Sequence, residues 1–256
     1  MNFHKDNAHV TNITLNIQDL NKLKDFYIDL IGMKLIEESD SGFVAGFEGS
    51  THTFTFEVLE NGRVAAQSEA GLFHIAILLP TRADLGRFIK HTFQKQIPLS
   101  GGDHLVSEAT YLVDPEGNGI EVYVDRDRDT WTWSNGQVAM DTLALDFAGI
   151  VESSGNTEWA GMPEGTIIGH LHLKGGESIN PEFYGKYGFE IATKVMSAYF
   201  MGSNKYHHHI AVNQWQSNKA RIDPAHTYGL KSFNISVPDA KSETVETPEG
   251  IEMVVN

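Results

Sequence analysis

Residues Gly101 to Tyr123 read GGDHLVSEATYLVDPEGNGIEVY and bring His104, Tyr111 and Glu121 into one short stretch. An imidazole, a phenol and a carboxylate are groups that move protons or grip a divalent cation. The DPEGNG segment has the chemistry of a turn, with Pro115 fixing one dihedral and Gly117 and Gly119 free to take positive φ. It therefore joins two antiparallel strands. A turn centred on Glu116 sets Tyr111 opposite Glu121 on one sheet face. Tyr123 shares that parity, while Ile120 and Val122 point the other way. A carboxylate on the concave side of a sheet needs a partner, because a buried unpaired charge is expensive. A metal ion would satisfy it.

Composition narrows the choice of metal and of partner. There is no cysteine, which removes thiolate ligands, a cysteine nucleophile and disulfides, so a metal must take nitrogen and oxygen donors; twelve histidines are available. No Gly-rich phosphate loop with its lysine is present, and no Ser, His, Asp order points to a hydrolase. With 34 acidic against 19 basic residues and a net charge of −15, neither a nucleic acid nor an anionic membrane is an expected partner. No apolar run reaches the roughly 18 residues of a membrane span. The start MNFHKDNAHV lacks the features of a signal peptide, so the cytoplasm is the expected location.

The elements that must position these residues come from an internal repeat. Slid along itself so that Gly71 meets Gly229, the chain aligns GLFHIAILLP with GLKSFNISVP and NITLNI from Asn12 with HLHLKG from His170. Each unit reads β-α-β-β-β: an alternating strand, a helix such as TRADLGRFIKHTFQKQ with Leu85, Phe88, Ile89 and Phe93 as its apolar residues, then further strands. The expected fold is α+β, with repeated β-α-β-β-β modules forming two cup-shaped mixed sheets. The fourth module is truncated, since the stretch between Pro238 and Pro248 has no room for a helix and inner strands. Three parts follow: an N-terminal domain, 1–126, holding modules one and two and the metal site; a linker, 127–164; and a C-terminal domain, 165–256, holding module three and the truncated module four. Sheet edges left by the truncation point to homo-oligomers. In the linker, Trp131 and Trp133 pack against the domains or close a pocket, and DRDRD is a solvated charge run.

The repeated modules, with GLFHIAILLP and DPEGNGIEVY, resemble the vicinal oxygen chelate superfamily of glyoxalases, bleomycin resistance proteins and extradiol dioxygenases, over nearly the whole chain. Within it they look most like catechol 2,3-dioxygenases of the Bacillus type. The extradiol signature is matched by His104, Tyr111, Asp114, Pro115, Gly117 and Glu121; Thr110 departs from it, standing where an apolar residue is usual. The resemblance implies metal ligands on first and last strands of modules, matched here by His74 and Glu121, and substrate-facing acid/base and hydrogen-bonding roles for His104 and Tyr111. The first strand of module one offers Asn12 at the equivalent position, so His9, just upstream, is taken as the second histidine. Two histidines and a carboxylate suit Fe(II), with Mn(II) next. The activity so implied is extradiol cleavage of a catechol-like or hydroquinone-like ring, with an aromatic substrate and dioxygen as partners.

Two other readings stay open. Glu57 in TFTFEVL would join His74 and Glu121 in a glyoxalase-type isomerase or thiol transferase using Ni(II) or Zn(II). A cup without chemistry would simply bind an aromatic compound, as resistance proteins do. In the second half, His170, His208 and Glu252 form either another metal site or a relic of duplication, because Ser232 stands where His74 stands in module two.

Overall fold

The computed structural model describes residues 6–256. Module one runs β1 (His9–Ile17), α1 (Leu20–Lys24, continued by a π-helical segment Asp25–Leu30), β2 (Lys34–Ser39), β3 (Gly42–Gly46) and β4 (Thr53–Val58). Module two runs β5 (Gly71–Leu78), α2 (Arg82–Gln94), β6 (Ser100–Asp103), β7 (Ser107–Val113) and β8 (Gly119–Asp125). A small hairpin, β9 (Trp133–Ser134) and β10 (Gln137–Val138), and a helix, α3 (Phe147–Ser153), occupy the connecting stretch. Module three follows as β11 (Ile167–Lys174), α4 (Pro181–Gly185), β12 (Glu190–Val195), β13 (Ala198–Gly202) and β14 (Ile210–Asn213). Module four keeps β15 (Gly229–Ser236), β16 (Glu243–Glu246) and β17 (Glu252–Val255), having lost its helix and the strand after it.

The expected α+β fold of repeated modules in two mixed sheets is present. The sheets, however, do not follow the halves of the chain. One has the order β16-β17-β15-β1-β4-β3-β2 and joins modules four and one; the other, β12-β13-β14-β11-β5-β8-β7-β6, joins modules three and two. Modules one and two, expected together in an N-terminal domain, thus lie in different sheets. β1 pairs antiparallel with β15, and β5 pairs antiparallel with β11, so each sheet closes across the two halves.

Local sequence explains the elements. Thr81 caps α2 by accepting from the Asp84 N–H, and Leu85, Phe88 and Ile89 turn inward, while Phe93 at the helix end is exposed. Gly86 lets α3 approach, since a Cβ there would lie 2.3 Å from the Ile150 carbonyl oxygen. A core including Tyr27, Phe54, Phe56, Phe88 and Phe233 fills the space behind the sheets. The connecting stretch is more ordered than its periodicity implied: Trp131 is buried against Tyr206 and His207, with its indole N–H donating to the Arg126 carbonyl.

Candidate metal centre

Strand register assembles the site around Ala76. In the parallel pair β5–β8, Ala76 faces Glu121; in the antiparallel pair β5–β11, Ala76 faces His170. His74 lies two residues before Ala76 on the same face, and residues paired across a sheet share a face. Three ligand-type side chains thus lean over a residue whose methyl leaves them room. His74 Nε2 lies 2.9 Å from Glu121 Oε2 and 3.3 Å from His170 Nε2, and His170 Nε2 lies 3.3 Å from the same carboxylate oxygen. All three residues are buried.

The hairpin behind Glu121 is built as its sequence implies. Tyr111 pairs with Glu121 and Ala109 with Tyr123. Asp114 accepts from the N–H groups of Glu116 and Asn118, from the Asn118 amide and from the Tyr27 hydroxyl, which locks the turn. Gly117 takes φ +91, but Gly119 does not need positive φ. Gly119 is required for close approach: a Cβ there would lie 2.5 Å from the Phe73 carbonyl oxygen. Thr110, the departure from the signature, points away from Tyr111 and donates to the Val122 carbonyl, so its polarity is satisfied.

The arrangement suits a cation. Burial alone would push the Glu121 carboxyl upward, yet His170 and His74 outweigh it and hold the group well below the usual carboxylate range. Burial lowers His170 to about 4, against the opposing pull of Glu121, so its imidazole is neutral at pH 7. Two imidazole nitrogens and an ionised carboxylate converging within 4.8 Å are a donor set for a divalent metal, and one shared proton cannot satisfy them all. The residues present fit such an ion.

A cavity of about 370 Å³ opens over these groups, walled by Phe73, Phe200, Trp215 and Tyr111 and roofed by Met140 to Thr142 of the connecting stretch. His104 and Tyr111 line it together: His104 Nδ1–H donates to the Asp141 carbonyl, leaving Nε2 to meet the Tyr111 hydroxyl at 2.6 Å. Burial, then the charge of Glu121, raise the Tyr111 phenol well above its ordinary value, so it stays protonated.

The remaining candidates fall elsewhere. His9 is corrected: it lies on β1 in the other sheet, stacked at 5.5 Å on His52, with Nδ1–H donating to the Asn7 carbonyl. Glu57, on β4 of that sheet, pairs with Lys231 at 2.6 Å and cannot complete a glyoxalase-type set. Glu252 is exposed on β17. It faces Ser232, as Gly119 faces His74, so the residue in Glu121's register position is Val254. With Asn12, Ser232 and Val254 at the three corresponding places, the second cup lacks this donor set. His170 and His208 belong instead to the first site. His170 lines the centre itself, and His208 lines the cavity with its ring centroid 4.0 Å from that of His170.

A chain of buried groups missed by sequence reasoning runs behind His208. Asp125 accepts from His207 Nε2–H at 2.9 Å, and His207 Nδ1 lies 2.7 Å from His208 Nδ1. Tyr123 donates to the Tyr206 oxygen, and Tyr206 donates to Asp125. The run YHHHIAV carried the histidines, but nothing in it pointed to Asp125 across the sheet.

The profile of the glyoxalase/bleomycin resistance protein/dioxygenase superfamily matches residues 8–122. The catechol-2,3-dioxygenase of Bacillus subtilis (strain 168) is 36% identical over 241 residues, covering 92% of this chain and 84% of the relative. Glyoxalase I from Zea mays superposes with a TM-score of 0.56 at 12% identity over 100% of this chain and 94% of its own. The cppA protein from Streptococcus pneumoniae TIGR4 does so with a TM-score of 0.57 at 12% identity over 96% and 97%. At these identities the two superpositions speak for the fold.

Proposed function

The chain belongs to the glyoxalase/bleomycin resistance protein/dioxygenase superfamily, and from that premise we propose that it is a metal-dependent extradiol dioxygenase that opens a catechol-like or hydroquinone-like ring. The observation carrying this reading is the convergence of His74, His170 and Glu121 at the floor of an aromatic-walled cavity. The likeness to a catechol-2,3-dioxygenase supports the same class. A divalent ion held by these three groups, Fe(II) in our reading with Mn(II) next, supplies positive charge and open positions that template a diol and dioxygen.

The chain's own groups then have defined tasks. Phe73, Phe200 and Trp215 bind a flat ring and exclude water from it. With Asp125 accepting from His207 Nε2–H, a proton on His208 Nδ1 meets His207 Nδ1 and leaves His208 Nε2 as a base. Burial holds His208 well below its ordinary value, and the neighbouring imidazoles add to this, so its ring is neutral at pH 7. It takes a proton from the diol. On the other side of the cavity, the Tyr111 hydroxyl donates to His104 Nε2, so its oxygen is free to accept a hydrogen bond from a substrate hydroxyl. The isomerase or thiol-transferase reading is less favoured, because Glu57, which would join His74 and Glu121, lies in the other sheet and pairs with Lys231.

The test is anaerobic purification followed by metal analysis and oxygen uptake on a panel of catechols and hydroquinones. Stoichiometric iron or manganese with uptake on at least one diol is the expected result. A metal-free protein that binds aromatics without consuming oxygen would establish the resistance-type alternative instead.

A further inference from the structure

His172 neither belongs to the donor set nor moves a proton, yet it lines the same cavity. It lies two residues beyond His170 on β11, faces His74 across the β5–β11 pair and is almost wholly buried. Its ring stands among the aromatic walls, with centroid distances of 4.8 Å to Phe73, 5.5 Å to Trp215 and 5.6 Å to Phe200. An apolar side chain would serve that wall better if its only task were to hold a flat ring, because a buried imidazole brings a donor and an acceptor that both need partners.

Asn213 on β14 decides which nitrogen is which. Its Oδ1 accepts from the Trp215 backbone N–H at 3.0 Å, so its amide nitrogen is the atom turned towards His172 and donates to Nε2 at 2.9 Å. With Nε2 accepting, the ring is neutral and its proton sits on Nδ1. This N–H has no acceptor among the described residues, and unlike His170 Nδ1 it is not sealed away: it opens onto the cavity that His172 lines. We propose that His172 is a specificity-determining residue, whose Nδ1–H selects a diol carrying a neutral, hydrogen-bond-accepting oxygen substituent, such as an alkoxy or carbonyl group, on its ring. The inference rests on the reading of the metal centre as a diol site. An alkyl group in the same place would cover the N–H and leave it without a partner, which a site built around a donor rejects. A carboxylate is disfavoured, because neither lysine nor arginine is among the residues lining the cavity, whereas Glu121 and Asp141 are. Asn213 is then a positioning residue that holds the tautomer.

Anaerobic titration of the full-length, iron-loaded protein with methoxycatechol and ethylcatechol tests this without turnover; the two are matched in size, and each is used with its substituent next to the diol and one carbon further on. The parent protein should bind the methoxy compound about tenfold more tightly than the ethyl compound for at least one of the two positions. His172→Phe should erase that preference, with iron content and ethylcatechol affinity unchanged. His172→Asn, whose side-chain amide occupies the place of Nδ1, should retain it, which a role in packing alone would not produce. No methoxy preference in the parent protein, an equal preference in His172→Phe, or its loss in His172→Asn would each overturn the proposal. Oxygen uptake on the same compounds reads the dioxygenase assignment separately: a preference that depends on His172 without any uptake would keep the proposal and remove that assignment, and uptake without a preference would do the reverse.

Discussion

His170 is the residue on which the proposed metal centre turns. His170→Ala, His74→Ala and Glu121→Ala should each weaken metal binding by more than about a hundredfold, beyond the effect of losing an outer partner. His9→Ala should keep full metal content, since that ring packs on His52 in the other sheet. Metal analysis after dialysis reads the difference, and a metal-free His9→Ala protein would sink the assignment. His208→Phe should keep the metal and lower kcat by about a hundredfold, the usual worth of a general base. Asp125→Asn should lower it less, because it disturbs only the tautomer that His207 passes on. The Tyr111–Glu121 pairing, by contrast, was legible from one hairpin, because a two-strand register is set by a turn of known centre, whereas His104 came only with the resemblance.

Among the elements, β5 carries the site because Ala76 leaves a hollow between β8 and β11. Ala76→Leu should abolish metal binding with every ligand still in the sequence, while Gly119→Ala should cost about 1–3 kcal/mol of stability by pressing a Cβ onto the Phe73 carbonyl. Urea unfolding with parallel metal analysis separates these two outcomes. His52, just before β4, ties the sheets together: its Nδ1 accepts from the Ile168 N–H of β11. Burial, assisted by His9, lowers His52 from 6.5 to about 4. Between those values the unfolded chain binds a proton that the folded chain refuses. Stability from this group is therefore complete above pH 6.5 and is lost as pH falls towards about 4, by up to about 3 kcal/mol. His52→Gln should flatten that slope, and an unchanged slope would remove His52 as its source.

At the scale of the whole molecule, each sheet is completed by the other half of the chain, and this has a direct consequence. Residues 1–126 contain His74 and Glu121 but neither β11 nor His170, so that fragment alone should retain no metal, and co-expression with 127–256 should restore it. A metal-binding 1–126 fragment would show that the centre does not need the second half. The repeat, the modules, the truncation of module four and the Tyr111–Glu121 pairing were all readable in the amino-acid order, because they follow from periodicity and turn chemistry within a few dozen residues. The same order also contained GHLHL and YHHHIAV. What it left undetermined was which module's first strand lies beside β5, because that choice depends on contacts between segments nearly a hundred residues apart. Only the tertiary structure set β11 against β5 and β15 against β1. This pairing made His170 a partner of His74, took His9 out of the site and left the other cup with Asn12, Ser232 and Val254 in place of ligands.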